Sequence, residues 1–116
     1  MEHKVFVYGT LKYGKSNHKL LSTSELVGQA ETEPAFNMFA LGYFPGCAIG
    51  GNTKIKGEVY KVNDEVLKKL DWLEGHPNHF KRIEVKTSLG EAWMYTVDDL
   101  RYTVLDFPLI ASGEWK

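Results

Sequence analysis

The stretch Lys4-Val5-Phe6-Val7-Tyr8-Gly9-Thr10-Leu11 decides how the chain is read. Residues 4 to 8 are β-branched and aromatic and run straight into Gly9, the pattern of a mostly buried strand that ends at a turn. A glycine at that exit permits backbone geometry that exposes successive N–H groups on one side, and such a nest favours a carboxylate or an oxyanion. A Gly-Thr pair after a strand is common in ordinary turns, so the rest of the chain must say what this turn serves.

C-terminal to it, Asn17 to Leu21 reads as one short helix with Ser16 or Asn17 as its cap. Strands are expected at 25–31 and 35–41, broken by Pro34, with a shorter one at 47–49 inside the glycine-rich segment 42–51. Residues 54–62 form another strand, with Gly57 marking a bulge or a close backbone approach. Residues 80–87 and 91–97 pair through Ser88-Leu89-Gly90, and the tail from Asp98 to Lys116 carries no pattern that places it. Many short strands with one good helix point to an α+β domain. So small a sheet must also cover its edges, so it is expected to curl into a mostly antiparallel β-barrel flanked by short helices.

That helix spans 64–74. Asn63 supplies an N-cap, Asp64 and Glu65 sit in the first turn, and Gly75 stops it with Pro77 beyond. At roughly 100° per residue, Leu73, Val66, Leu70 and Leu67 share one arc, and Glu74 falls between Leu70 and Leu67. Asp64, Glu65, Lys68, Lys69, Asp71 and Trp72 are assigned to the outer side. Trp72 there suits packing under the C-terminal tail or a partner surface. Glu74 therefore points inward with the leucines. A carboxylate on an apolar face loses hydration, so its pKa should rise from about 4.3 toward the range useful for proton transfer near neutrality.

Composition narrows the function classes. The 116 residues suffice for one core and not for two ordinary domains, so residues 1–116 are read as a single domain. Fourteen Lys+Arg balance fifteen Asp+Glu, and no basic run exceeds two residues, which argues against a nucleic-acid or anionic-membrane surface. The single Cys47 allows no intrachain disulfide and fits a reducing, cytoplasmic setting; no secretory signal or membrane-spanning run is present in the sequence. His76 and His79 lack a third ligand, so no metal is expected, and Cys47 in FPGCAIG reads as buried packing rather than a nucleophile.

Three strings then carry a resemblance: VFVYGTLKYGKSNHKLL at 5–21, GEVYKVNDEVLKKLDWLEG at 57–75 and HFKRIEV at 79–85. In that order they resemble the γ-glutamyl cyclotransferase family, most closely its γ-glutamylamine cyclotransferase branch, over roughly residues 4 to 97. The resemblance implies a compact barrel, a substrate loop at Tyr8, Gly9, Thr10 and Leu11, and Glu74 as the catalytic residue, the side chain that helical geometry also singles out. It further implies a γ-glutamyl amide substrate, converted to 5-oxoproline and a free amine without cofactor or metal. Tyr8 and Tyr95 are candidates to offer a hydroxyl to the substrate or to Glu74. Phe44-Pro45-Gly46 and Phe80 are expected at the pocket rim, and Asn17 and His18 as braces of the loop. A non-catalytic module that binds a small acidic ligand on the same fold is the competing reading.

Overall fold

The computed structural model describes residues 1–97 and 107–116. Its first strand, β1 (Glu2–Val7), lies in the middle of a five-stranded sheet. β5 (Lys56–Asn63) pairs antiparallel on one side of β1, with Val5 opposite Tyr60, and β7 (Gly90–Val97) runs parallel on the other, with Val5 opposite Trp93. β2 (Glu25–Glu31) flanks β5, and β6 (Phe80–Thr87) flanks β7 in a hairpin turned at Ser88-Leu89. A separate antiparallel pair, β3 (Phe36–Ala40) and β4 (Pro45–Ile49), completes the strands. A 3-10 turn at His18–Leu21 and helix α1 (Asp64–Glu74) are the helical elements among the described residues.

Alternation along β1 explains why its apolar run is nearly continuous. Val5 and Val7 enter a core shared with Leu21, Tyr60, Val62, Val66, Leu67 and Leu70, while Phe6 and Tyr8 enter a second core with Met38, Cys47, Ile55, Val59 and Met94. Both faces of β1 are thus dry over its second half, Val5 to Val7, which a strand with one solvated face would not be. Helix α1 seals the first of these cores, with Leu70 fully buried.

The mostly antiparallel α+β class holds, but the sheet is not closed into a barrel. Its outer strands β2 and β6 touch at one end, where Thr32 bridges Thr87 and the Ser88 amide donates to the Glu31 carbonyl at 3.0 Å. Among the described residues no ladder continues from this bridge, so the two edges meet at one point and not along their length. Residues 98–106 of the tail, for which the sequence offered no placement, lie outside the described residues. Beyond them the chain runs along β3. Ala40 donates to the Pro108 carbonyl at 2.9 Å and Ile110 to the Met38 carbonyl at 2.7 Å, and Leu109 forms a bridge with Phe39. Among the described residues no helix is long and apolar enough to cross a membrane.

Gly57 is a close approach rather than a bulge, since a Cβ there would collide with the Val7 carbonyl and the Phe6 ring; the register shift falls on β2 between Leu26 and Gly28. Gly57→Ala is therefore expected to lower stability by about 1–3 kcal/mol through backbone displacement at the β1–β5 ladder. Urea unfolding checks this, and a loss below about 0.5 kcal/mol would show that the two strands are not so closely apposed.

Candidate active site

Helix α1 is built to deliver its last residue to the sheet. Asn63 Oδ1 accepts from the Val66 amide at 2.8 Å, which fixes the start, and Gly75 at φ 68° closes the end with its amide on the Asp71 and Trp72 carbonyls. Between these caps, Val66, Leu67 and Leu70 are buried and dictate the rotation of the helix. Glu74 follows one turn after Leu70 and comes out half-buried, lining a cleft of about 510 Å³.

Burial pushes the Glu74 carboxyl up to about 7. Among the described residues no side chain or backbone donor engages it, so nothing offsets the lost hydration. A carboxylate in that state holds or releases a proton near neutral pH, as a general acid–base requires.

The turn after β1 faces the same cleft. Tyr8, Gly9, Thr10 and Leu11 line it together with Glu74 and Tyr95, so all six residues singled out from the sequence meet in one place. The carbonyl of Gly9 accepts from Lys12 at 3.0 Å and that of Thr10 from Asn17 at 2.8 Å. Among the described residues, the N–H groups of Gly9, Thr10 and Leu11 donate to no acceptor outside the sheet ladders, leaving a short run of amide donors at the cleft. Asn17 and His18 do brace this turn. Asn17 Nδ2 donates to Thr10 Oγ1 at 2.8 Å rather than capping the helical turn that follows, and His18 Nδ1 meets the Leu11 carbonyl at 2.9 Å with its ring between Tyr13 and Tyr60.

The glycine of this turn is required for a different reason than its sequence context suggested. Gly9 does not adopt a positive φ. A Cβ on it would instead lie 2.8 Å from Pro45 Cγ and 2.9 Å from Cδ, so glycine is needed for clearance against the start of β4. This contact brings the Phe44-Pro45 segment over the cleft, where Phe44 packs on Phe80 with ring centroids 6.2 Å apart.

The tyrosines line the cleft with hydroxyls already committed. Tyr8 Oη donates to the Tyr95 carbonyl at 2.6 Å and accepts from the Cys47 amide at 3.2 Å. Tyr95 Oη donates to Asp71 Oδ1 at 2.6 Å. Neither hydroxyl reaches Glu74. Burial, with the nearby Asp71 for Tyr95, holds both phenols well above their ordinary value, so they stay protonated.

Asp71 corrects the sequence reading, which set it on the outer side of α1. At roughly 40° from Leu67 on the helical wheel it borders the buried arc, and it turns toward the sheet. Arg82 Nε and Nη2 donate to its two oxygens at 2.9 and 3.1 Å, in the forked geometry that fits a carboxylate. Burial raises the Asp71 pKa, but the Arg82 and Tyr95 donors outweigh it and hold the carboxyl below its usual range. The Arg82 guanidinium also stacks 4.3 Å above the Trp93 ring. Two carboxylates three residues apart on one helix therefore sit in opposite states, Asp71 paired and charged, Glu74 unpaired and near neutrality.

Cys47 is fully buried, and burial pushes its thiol far up, so little thiolate exists to act as a nucleophile. His76 Nδ1 accepts from the Arg82 amide at 3.0 Å. Trp72 is 84% exposed, so among the described residues no tail segment covers it.

Comparison with known proteins gives the family. The family model described as gamma-glutamyl cyclotransferase, AIG2-like matches residues 5–116. A protein of Vibrio cholerae serotype O1, provisionally named a gamma-glutamylcyclotransferase, is 42% identical over 115 residues, covering 99% of this chain and 96% of that one. The gamma-glutamylcyclotransferase family protein YtfP of Escherichia coli K12 is 33% identical over 116 residues, covering 97% and 95%. The crystal structure of an AIG2-like protein from Mus musculus superposes with a TM-score of 0.88 over 99% of this chain and 88% of the other, at 23% identity, and so shares the fold. On the family match and these identities, the chain belongs to the γ-glutamyl cyclotransferase, AIG2-like family.

Proposed function

We propose that residues 1–116 act as a single catalytic domain, a cyclotransferase that converts a γ-glutamyl amide to 5-oxoproline and a free amine. The observation that carries this reading is the unpaired Glu74 carboxylate, raised to about 7, in the same cleft as the amide run of Gly9, Thr10 and Leu11. In this scheme the amide run holds the substrate α-carboxylate. Glu74 takes a proton from the α-ammonium, and the freed amine attacks the γ-carbonyl carbon to close a five-membered ring. Glu74 hands that proton to the leaving nitrogen, the tetrahedral intermediate collapses as its C–N bond to the leaving group breaks, and the second proton of the ring nitrogen passes through Glu74 to the departing amine, leaving the neutral lactam and an ammonium. No water enters and no redox change occurs. Because attack is intramolecular, holding the chain folded supplies much of the acceleration, with positioning effects worth up to about 7–11 kcal/mol in favourable cases.

A raised carboxylate suits both halves of this cycle better than an ordinary one. With burial raising its carboxyl to about 7, Glu74 can accept a proton near neutral pH, and its conjugate acid can return one. Asp71 holds α1 against β6 and β7 through Arg82 and Tyr95, so the last turn of the helix is tied to the sheet next to Glu74. The tyrosines serve as cleft walls in this scheme, and Pro45, Phe44 and Phe80 form the rim that limits water access.

Incubation with γ-glutamyl-lysine, γ-glutamyl-alanine and glutathione tests the reading by the appearance of 5-oxoproline. Glu74→Gln should cut turnover by about 10²–10⁴-fold with little change in fold, because the amide keeps the shape and cannot take the proton. Free glutamate as product would mean hydrolysis, and binding without any product would favour a ligand-binding module.

The pH dependence follows from the sign of the shift. A general base works only when ionised, so kcat/KM should fall as pH drops through about 7, well above where an unperturbed carboxylate titrates. A profile flat from about pH 5 to 8 would remove Glu74 from the role of base.

A further inference from the structure

The segment 107–116 is fastened along most of its length. The Pro108 carbonyl accepts from Ala40 at 2.9 Å, Ile110 donates to the Met38 carbonyl at 2.7 Å, and the Gly113 carbonyl accepts from Lys56 at 2.9 Å. Ile110 and Trp115 pack on the second core. Gly113, at φ 72°, lies so close to the Lys54 carbonyl that a Cβ would collide with it, so the backbone has no slack there. A stretch held by two strands and by its own side chains is a fixed point for whatever else touches it.

Lys12 touches it. Its Nζ donates to the Trp115 carbonyl at 2.5 Å, across 103 positions of sequence. Among the described residues this ammonium makes no ion pair, so a cation has been drawn in against a neutral backbone oxygen, where its charge strengthens the hydrogen bond. Burial lowers its pKa from the ordinary lysine value, with Glu114 and Glu58 acting in the opposite direction. A lysine left in solvent would keep both its water and its rotamer freedom.

The same residue closes the turn after β1. The Lys12 amide donates to the Gly9 carbonyl at 3.0 Å, and the next amide, that of Tyr13, donates to Glu58 Oε1 at 2.9 Å, the oxygen on which Tyr60 Oη also donates at 2.9 Å. Between β1 and this closure lie Gly9, Thr10 and Leu11. Among the described residues their amides have no acceptor outside the sheet ladders, so their orientation must be set by the residues around them. Asn17 and His18 brace the turn at the Thr10 side chain and the Leu11 carbonyl. Lys12 supplies a further fixed point, at the end of the amide run.

We propose that Lys12 is a positioning residue for the cleft, and that through the Trp115 carbonyl it ties the Gly9–Leu11 amide run to the anchored segment 107–116. This rests on the cyclotransferase reading, in which that run holds the substrate α-carboxylate. Lys12 touches no reacting atom, since it does not line the cleft that holds Glu74. Without the tie the three amides sample other orientations. The carboxylate is then held more weakly in the ground state and the transition state alike, so the loss appears in KM rather than in kcat.

Steady-state kinetics of Lys12→Met with γ-glutamyl-alanine should show KM raised about five- to twentyfold, with kcat within about twofold of the unsubstituted protein. Lys12→Arg keeps a donor within reach of the carbonyl and should recover most of the loss. Gly113→Ala, which shifts the segment without altering Lys12, should raise KM in the same way. The double variant Lys12→Met, Gly113→Ala should lose little more than either alone, because both act through one contact. An unchanged KM in Lys12→Met, a loss carried by kcat, no recovery in Lys12→Arg, or full additivity in the double variant would overturn the assignment. Amide-nitrogen NMR relaxation reads the tie without any substrate: order parameters at Gly9, Thr10 and Leu11 should fall in Lys12→Met while those of Val5 to Val7 hold. Unchanged order parameters at the three residues would likewise overturn it. A fall there, in a protein that yields no 5-oxoproline from any substrate, would leave the tie standing and remove the cyclotransferase.

Discussion

Everything distinctive about the cleft depends on how α1 is seated. Val66, Leu67 and Leu70 lie against Val5, Val7, Tyr60 and Val62, and that packing fixes the helix rotation to within the few tens of degrees that separate a buried from an exposed position. Asn63 and Gly75 then fix its length. Given both, Glu74 is carried inward whatever its own preference. A carboxylate would keep its water if it were free to choose; here the cost of its desolvation is offset by the apolar burial of its helix neighbours, each worth about 1.5–3 kcal/mol. The raised proton affinity of Glu74 is thus a by-product of core packing, which makes it robust to changes elsewhere on the surface.

The two carboxylates of α1 divide structural and chemical work by environment alone. Asp71 receives a guanidinium fork and a phenol, and these donors hold it charged in a partly buried setting. A buried ion pair of this kind contributes little net stability, because desolvation offsets attraction, but it fixes geometry. It ties the end of α1 to β6 and β7, next to the position where Glu74 must stay unpaired. Had Arg82 reached Glu74 instead, the same attraction would have lowered its pKa and removed the basicity near neutrality that the site offers.

Much of this was legible from local patterns. β1 and α1 could be read because their signals are strong and self-consistent: an apolar run ending in glycine, and a helix with an asparagine cap, acidic first turn and glycine stop. The meeting of Tyr8–Leu11, Glu74 and Tyr95 was expected only through resemblance to a family, since nothing local to either segment brings residues 8 and 74 together. What escaped the sequence depends on tertiary partners. The outer side assigned to Asp71 is wrong because its helical angle borders the buried arc, and Arg82 eleven residues later is what makes the inward position tolerable. Gly9 invited an explanation by backbone freedom, whereas the constraint is Pro45, 36 positions away and visible only once β4 is folded over the turn. The strand expected at 47–49 begins earlier, at Pro45, because a strand's first residue tolerates proline. Complete barrel closure could not be read from strand count, since it depends on whether β2 and β6 pair beyond the single Thr32–Thr87 bridge.

The account stands on the proton affinity of one side chain, and that quantity can be observed without substrate. Carboxyl-carbon NMR titration of the isotopically labelled protein, with the Glu74 resonance assigned by its disappearance in Glu74→Gln, reports it directly. The midpoint is expected at about 7. A midpoint near the ordinary carboxylate value of about 4.5 would mean that the carboxylate is hydrated or paired in solution, and would contradict the account.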